Sequence, residues 1–149
     1  MTSVNVYLNF ESNCEEAFNF YKSIFEGEFS YLGRFNEMPP QEGMPPMPAC
    51  MANKILHIGL PISKETMLMG CDTGGEWVPP FKPDNNFAIS VSVDSKAKAD
   101  EIFAGLSQDG KIIMPLANMF WGDYFGQCED PFGVNWMVMF DPNQEKVKD

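Results

Sequence analysis

The chain carries a single histidine, His57, and four cysteines, Cys14, Cys50, Cys71 and Cys128, none of them in a Cys-x-x-Cys pair. One imidazole excludes a two-histidine metal site or an HExxH motif within one chain. Cysteines so far apart make neither a zinc site nor a dense disulfide framework, and they read as free thiols. His57 is therefore the one side chain that ordinarily titrates near neutral pH, and the best candidate for a general acid or base. The competing reading is a structural histidine bonded to a neighbouring strand. The other candidates are neutral: the amides of Asn5 and Asn9, the phenol of Tyr7, the hydroxyls of Ser90 and Ser92, and the sulfurs of Met67, Met69, Cys71, Met137 and Met139.

Their spacing says what must hold them. Val6, Leu8 and Phe10 alternate with Asn5, Tyr7 and Asn9, as a strand with one oily face requires. A helix is predicted over 12–25, with Ser12–Glu15 as a capping box, an apolar stripe at Cys14, Ala17, Phe18, Tyr21, Ile24 and Phe25, and Gly27 as its stop. The same pattern returns at Phe87–Val93, followed by a helix over 95–107 with Ser95 as N-cap and Gly110 as stop. Cap and stop in the two copies stand 83 positions apart, which argues for a duplicated unit. Strand-like runs at 29–35, 54–60 and 66–71, then at 111–116, 124–129 and 134–140, make each half β-α-β-β-β. Asp130 is expected to organise the Asp-Pro-Phe-Gly turn before the last strand, and Glu65 and Asp72 are expected to be solvated turn residues.

The 149 residues suit one domain, and the expected division is a first module over about 4–72, a linker over about 73–86, a second module over about 87–140 and a tail over 141–149. Residues 36–53, with five prolines and four methionines, are either a lid or a disordered bulge. A net charge of −11 is the wrong sign for nucleic acid or an anionic membrane, and no apolar run is long enough to span a bilayer. The expectation is a soluble, cytoplasmic protein.

Tyr7-Leu8-Asn9-Phe10, Glu16–Tyr21, Lys54–Ile58, Glu65–Gly70, Phe120-Trp121-Gly122 and Phe132–Trp136 together resemble the vicinal-oxygen-chelate superfamily, also called glyoxalase/bleomycin-resistance/dioxygenase, in its PhnB-like branch. The resemblance implies an α+β fold in which two tandem βαβββ modules form a curved mixed sheet around a concave cleft, helices outside, and a homodimer. It also places the superfamily's metal-ligand positions at Asn5, Met69, Ala88 and Met137. One amide oxygen with thioethers and a methyl group is a very poor shell for a divalent ion, so no metal and no cofactor are expected. Nor is there a Gly-rich loop opening a Rossmann helix to hold a methyl donor. The expected activity is metal-free binding of an apolar or aromatic small molecule in the cleft, by Asn5, Tyr7, Asn9, His57, Met69, Ser90 and Met137 with Trp121 and Tyr124 at the rim. The alternative is a lyase-, isomerase- or oxygenase-type enzyme using His57 as acid or base on a small oxygenated substrate.

Overall fold

The computed structural model describes residues 4–37, 43, 48–73 and 86–143. The expected lid, linker and tail fall largely outside the described residues. The chain divides into two units, Met1–Lys82 and Pro83–Asp149.

In the first unit, β1 (Val6–Phe10) leads into α1 (Cys14–Phe25), then β2 (Tyr31–Arg34), short 3-10 turns at Phe35–Glu37 and Ala49–Met51, β3 (Ile55–Pro61) and β4 (Met67–Asp72). The sheet order is β1-β4-β3-β2, with β1 parallel to β4 and the other pairs antiparallel. The second unit runs β5 (Ile89–Ser92), α2 (Lys96–Ser107), β6 (Lys111–Asn118), β7 (Tyr124–Glu129) and β8 (Asn135–Phe140), in the matching order β5-β8-β7-β6. The fold is thus α+β, two four-stranded mixed sheets with one helix each. The duplication extends to register. Tyr7 pairs with Met69 and Asn9 with Cys71, while Ser90 pairs with Met137 and Ser92 with Met139, so the 83-residue offset holds pair by pair along the first strands.

Each helix covers one face of its own sheet because its stripe is apolar. Cys14, Ala17, Phe18 and Tyr21 of α1 are fully buried, as are Ala99 and Leu106 of α2, with Ile102 and Phe103 nearly so. Leu8, Phe10, Ile58, Leu60 and Leu68 complete the first core, and Trp136, Val138 and Cys128 the second. A glycine lets each helix approach. A methyl at Gly70 would stand 2.8 Å from both the Leu8 carbonyl oxygen and the Phe18 ring, and one at Gly126 would stand 3.0 Å from the Phe103 ring.

Two terminal signals work differently from expectation. Ser95 caps α2, accepting from Lys98 N at 3.1 Å, but α1 begins at Cys14 with Asn13 as N-cap and no cap from its side chain. Ser12 is turned out of the capping box by a φ of 73°. The donor at the start of α1 goes instead to Asp72, whose Oδ1 accepts from Cys14 N at 3.0 Å and Oδ2 from Ile55 N at 2.8 Å. Asp72 is 2% exposed, so it is no solvated turn residue; its carboxylate joins the start of α1 to the start of β3. At the other end, Glu26 rather than Gly27 takes the left-handed conformation that closes α1.

Asp130 does organise its turn, through Oδ1 to Phe132 N and Val134 N, and its Oδ2 also accepts from the Trp136 indole at 2.9 Å. The outer strand β6 leaves Ile112, Ile113 and Met114 exposed, and Pro115 and two register breaks interrupt its ladder.

Candidate functional site

Strand alternation puts Asn5, Tyr7 and Asn9 on the face of the first sheet turned away from α1, and register brings Met67, Met69 and Cys71 beside them. From β3 the same face receives Gly59, opposite Met69, and His57 two residues earlier. Ile55, two residues before His57, is buried, and the β2–β3 pairing skips Leu56 at a bulge between Gly33 and Arg34. The edge strand β2 supplies Tyr31, which pairs with Gly59, and Gly33, which pairs with His57.

Both glycines make room. A methyl at Gly33 would lie 2.6 Å from Tyr31 Oη, so the Tyr31 ring folds over that position; one at Gly59 would lie 3.2 Å from Met67 Sδ. Tyr31 is a site residue that sequence reasoning missed. The signal was its two-residue phase with Gly33 on a strand whose small residue leaves space for a ring.

The result is a ring platform with His57 in the middle. The Tyr7 and His57 rings stack with centroids 5.7 Å apart, and Tyr31 lies 5.6 Å from His57 on a tilt. Tyr7 is 44% and Tyr31 54% exposed. Beneath the rings runs a polar chain. Tyr7 Oη lies 3.4 Å from His57 Nδ1, and the Cys71 thiol donates to Asn9 Oδ1 at 3.4 Å. Burial, then the hydrogen bond to Cys71, raises the Tyr7 pKa well above the phenol range, so Tyr7 is a proton donor at neutral pH and no base. Burial also raises the Cys71 thiol, against a smaller lowering by Tyr7, which keeps it protonated.

The second sheet presents a plainer surface. Ser90, Met137 and Gln127 form one row and Ser92, Met139 and Phe125 the next, with no titratable group in either. Trp121 packs edge-on to Phe125 at 6.2 Å, its indole held by Asp123 Oδ2 at 2.9 Å, and Gly122 supplies the left-handed residue of that turn. Trp121 therefore belongs with the Met137 face, but Tyr124 does not. Tyr124 opens β7 one residue out of phase with Phe125, its hydroxyl bonds Asp100 of α2, and Lys96 of α2 sits over its ring at 4.8 Å.

The residues do not fit a divalent metal at the positions the superfamily uses. Asn5 Oδ1 is already engaged, accepting from Met67 N at 3.0 Å, and Ala88 offers a methyl group. Among the described residues, no three His, Cys, Asp or Glu side chains gather closely enough to hold a metal. No helix among them is long and apolar enough to cross a membrane.

The family model described as 3-demethylubiquinone-9 3-methyltransferase matches residues 2–139. The chain belongs to that family. The crystal structure of protein PA1353 from Pseudomonas aeruginosa is similar, 33% identical, covering 95% of this chain and 98% of that one, with a TM-score of 0.81. A PhnB protein from Bacillus cereus, described as a putative 3-demethylubiquinone-9 3-methyltransferase, is 26% identical over 93% of this chain and 99% of that one, TM-score 0.70. A glyoxylase/bleomycin resistance protein/dioxygenase domain from Frankia sp. EAN1pec, 14% identical over 97% and 93% of the two chains with a TM-score of 0.58, shares the fold. The PhnB-like family thus sits within the glyoxalase/bleomycin-resistance fold, as the motifs implied.

Proposed function

We propose that this PhnB-like protein binds an apolar or aromatic small molecule without a metal, on the face of the first sheet that carries Tyr7, His57, Tyr31 and Met69. The observation that carries the reading is the ring platform in which Tyr7 stacks on His57 and Tyr31 tilts against it, with both tyrosines half exposed and thioethers beside them. Such a surface gains affinity from burial, at about 25 cal/mol per Å² of apolar area, with each ring pair adding roughly 1 kcal/mol. Asn9 and the His57 ring supply direction. The Met137 face with Ser90 and Trp121 offers a similar apolar surface in the second unit. The reading includes a homodimer, supported by Phe120 and Trp121 standing 98% and 53% exposed. It includes a cytoplasmic location, supported by four free thiols.

Native mass spectrometry of the purified chain, before and after denaturation, measures oligomer and co-purifying ligand together. A bound organic molecule whose occupancy falls in Tyr31→Ala supports the reading, and an aromatic ligand unaffected by Tyr7→Ala and Tyr31→Ala together sinks it.

The Tyr7 hydroxyl 3.4 Å from His57 Nδ1 favours a second reading, an isomerase-, lyase- or oxygenase-type enzyme with His57 as acid or base. His57→Gln separates the two. A binding protein keeps most of its affinity, whereas an enzyme keeps affinity and loses turnover.

A further inference from the structure

We propose that the Tyr31 ring is hinged, and that the ligand of this face is a flat aromatic ring, which takes the place over Gly33 that Tyr31 gives up and lies between Tyr31 and His57. This mode of binding rests on the reading above and narrows the ligand from apolar molecules in general to planar ones. Tyr31 does not stand off its strand. A methyl built on Gly33 would meet Tyr31 Oη at 2.6 Å, Cε1 at 2.9 Å and Cζ at 3.0 Å, so the ring lies along β2 over the second residue after its own. Gly33 is buried there, and it is the ladder partner of His57. The space over Gly33 is thus bordered by an imidazole and filled by the protein's own phenol.

Little holds Tyr31 in that place. It is 54% exposed, it stands on the strand that ends the sheet order, and among the described residues its hydroxyl makes no hydrogen bond. An exposed side chain changes rotamer in picoseconds to nanoseconds, so the ring lifts without any movement of β2. Tyr7, the other ring against His57, is held more closely, stacked at 28° with its Oη 3.4 Å from Nδ1. Ring spacing then decides the mode of entry. At roughly 3.5 Å per contact, a ring lying between two others needs about 7 Å between them, more than the 5.6 Å from Tyr31 to His57. A ligand ring therefore enters only when Tyr31 lifts, and once seated it restores, with Tyr31 on one face and His57 on the other, the ring contact that the lifting broke. A puckered aliphatic ring is thicker and makes no such contacts.

The single histidine gives a direct test, because no other imidazole signals overlap its ring protons in an NMR titration. The probes are 2-naphthol and its saturated analogue, decahydro-2-naphthol. 2-Naphthol should shift the His57 ring protons, give nuclear Overhauser effects to the Gly33 Hα, and remove those that join the Tyr31 ring to Gly33 in the free protein. The saturated analogue should bind roughly tenfold more weakly, the worth of one or two ring contacts. Gly33→Ala puts a methyl in the ligand's place and should also weaken 2-naphthol roughly tenfold. The variant is expected to fold, since Gly33 has no positive φ and the methyl meets only the outer end of the Tyr31 ring. Tyr31→Ala keeps the seat, loses its cover and should weaken 2-naphthol about threefold. 2-Naphthol that binds while the Tyr31 ring stays on Gly33, or no better than its saturated analogue, overturns the hinge and leaves the binding reading standing. 2-Naphthol that leaves the His57 signals unmoved up to its solubility overturns the hinge as well, and the binding reading is then decided by the co-purifying ligand alone.

Discussion

The two units have one blueprint and spend it differently. Their strand orders match and their first strands pair in the same register, yet the face turned away from the helix carries Tyr7, Asn9, His57 and Cys71 in one unit and Ser90, Ser92, Gln127 and methionines in the other. Among the described residues of these two faces, the titratable groups lie in the first unit. The difference teaches that duplication fixes positions without fixing chemistry: Tyr7 and Ser90 are equivalent in register and opposite in capability.

The same exchange occurs in the core. Ile58 pairs with Gly70 beneath Phe18, and Gly126 pairs with Val138 beneath Phe103, so the glycine that admits the helix has moved from the last strand to its neighbour.

The capping of the helices gives the largest way to break the comparison. Asp72→Ala strips an acceptor from two backbone donors, Cys14 N and Ile55 N, and should cost ~3 kcal/mol in urea unfolding, since each buried unpaired donor costs about 1–3 kcal/mol. A loss under 1 kcal/mol would mean that water replaces the carboxylate. Gly70→Ala comes next, at ~2 kcal/mol, because one of its neighbours is the backbone oxygen of Leu8, which cannot rotate away. Gly126→Ala meets side-chain atoms of Leu116 and Phe103 and should cost less. Equal losses would erase the distinction between the two admissions. Ser95→Ala should lower stability by ~1 kcal/mol, the ordinary worth of a local N-cap.

A smaller effect concerns alkaline pH. Burial, with Asp130 nearby, pushes the Cys128 thiol from its ordinary 9.0 up to about 11. Above pH 9 the unfolded chain then loses this proton before the folded chain does. The stability that Cys128 contributes is complete below pH 9 and is lost as pH rises toward 11. Cys128→Ala should flatten the fall in melting temperature across that window, and an unchanged slope would assign the fall to the other raised groups, Tyr7, Cys14 and Cys71 of the first unit and Tyr124 of the second.

Much of this frame was legible in the sequence because it rests on local periodicity. The alternation of β1 and β5, the stripe of each helix and the cap at Ser95 are all short-range patterns. What escaped is non-local. Nothing near Asp72 marks it as the acceptor for a helix that starts 58 residues earlier, and the capping box at Ser12–Glu15 looked sufficient until its backbone turned away. Tyr124 was misplaced for a different reason. It was grouped with the aromatic turn before it, although its two-residue phase with Gly126 and Cys128 sets it on the α2 side. The shared face of β1 and β4 was legible in their alternation, whereas Tyr31 was passed over although its two-residue phase with Gly33 lay in the sequence.

Asp72 also sets a timetable. During synthesis from the N-terminus, α1 emerges with its first turn unfinished, and its capping oxygen arrives only after the whole of β2, β3 and β4 has followed. The second helix waits for nothing, because Ser95 reaches an amide three residues ahead. The half that is made first is therefore completed by its own last strand, and the half that is made second can begin to order as soon as its helix is out.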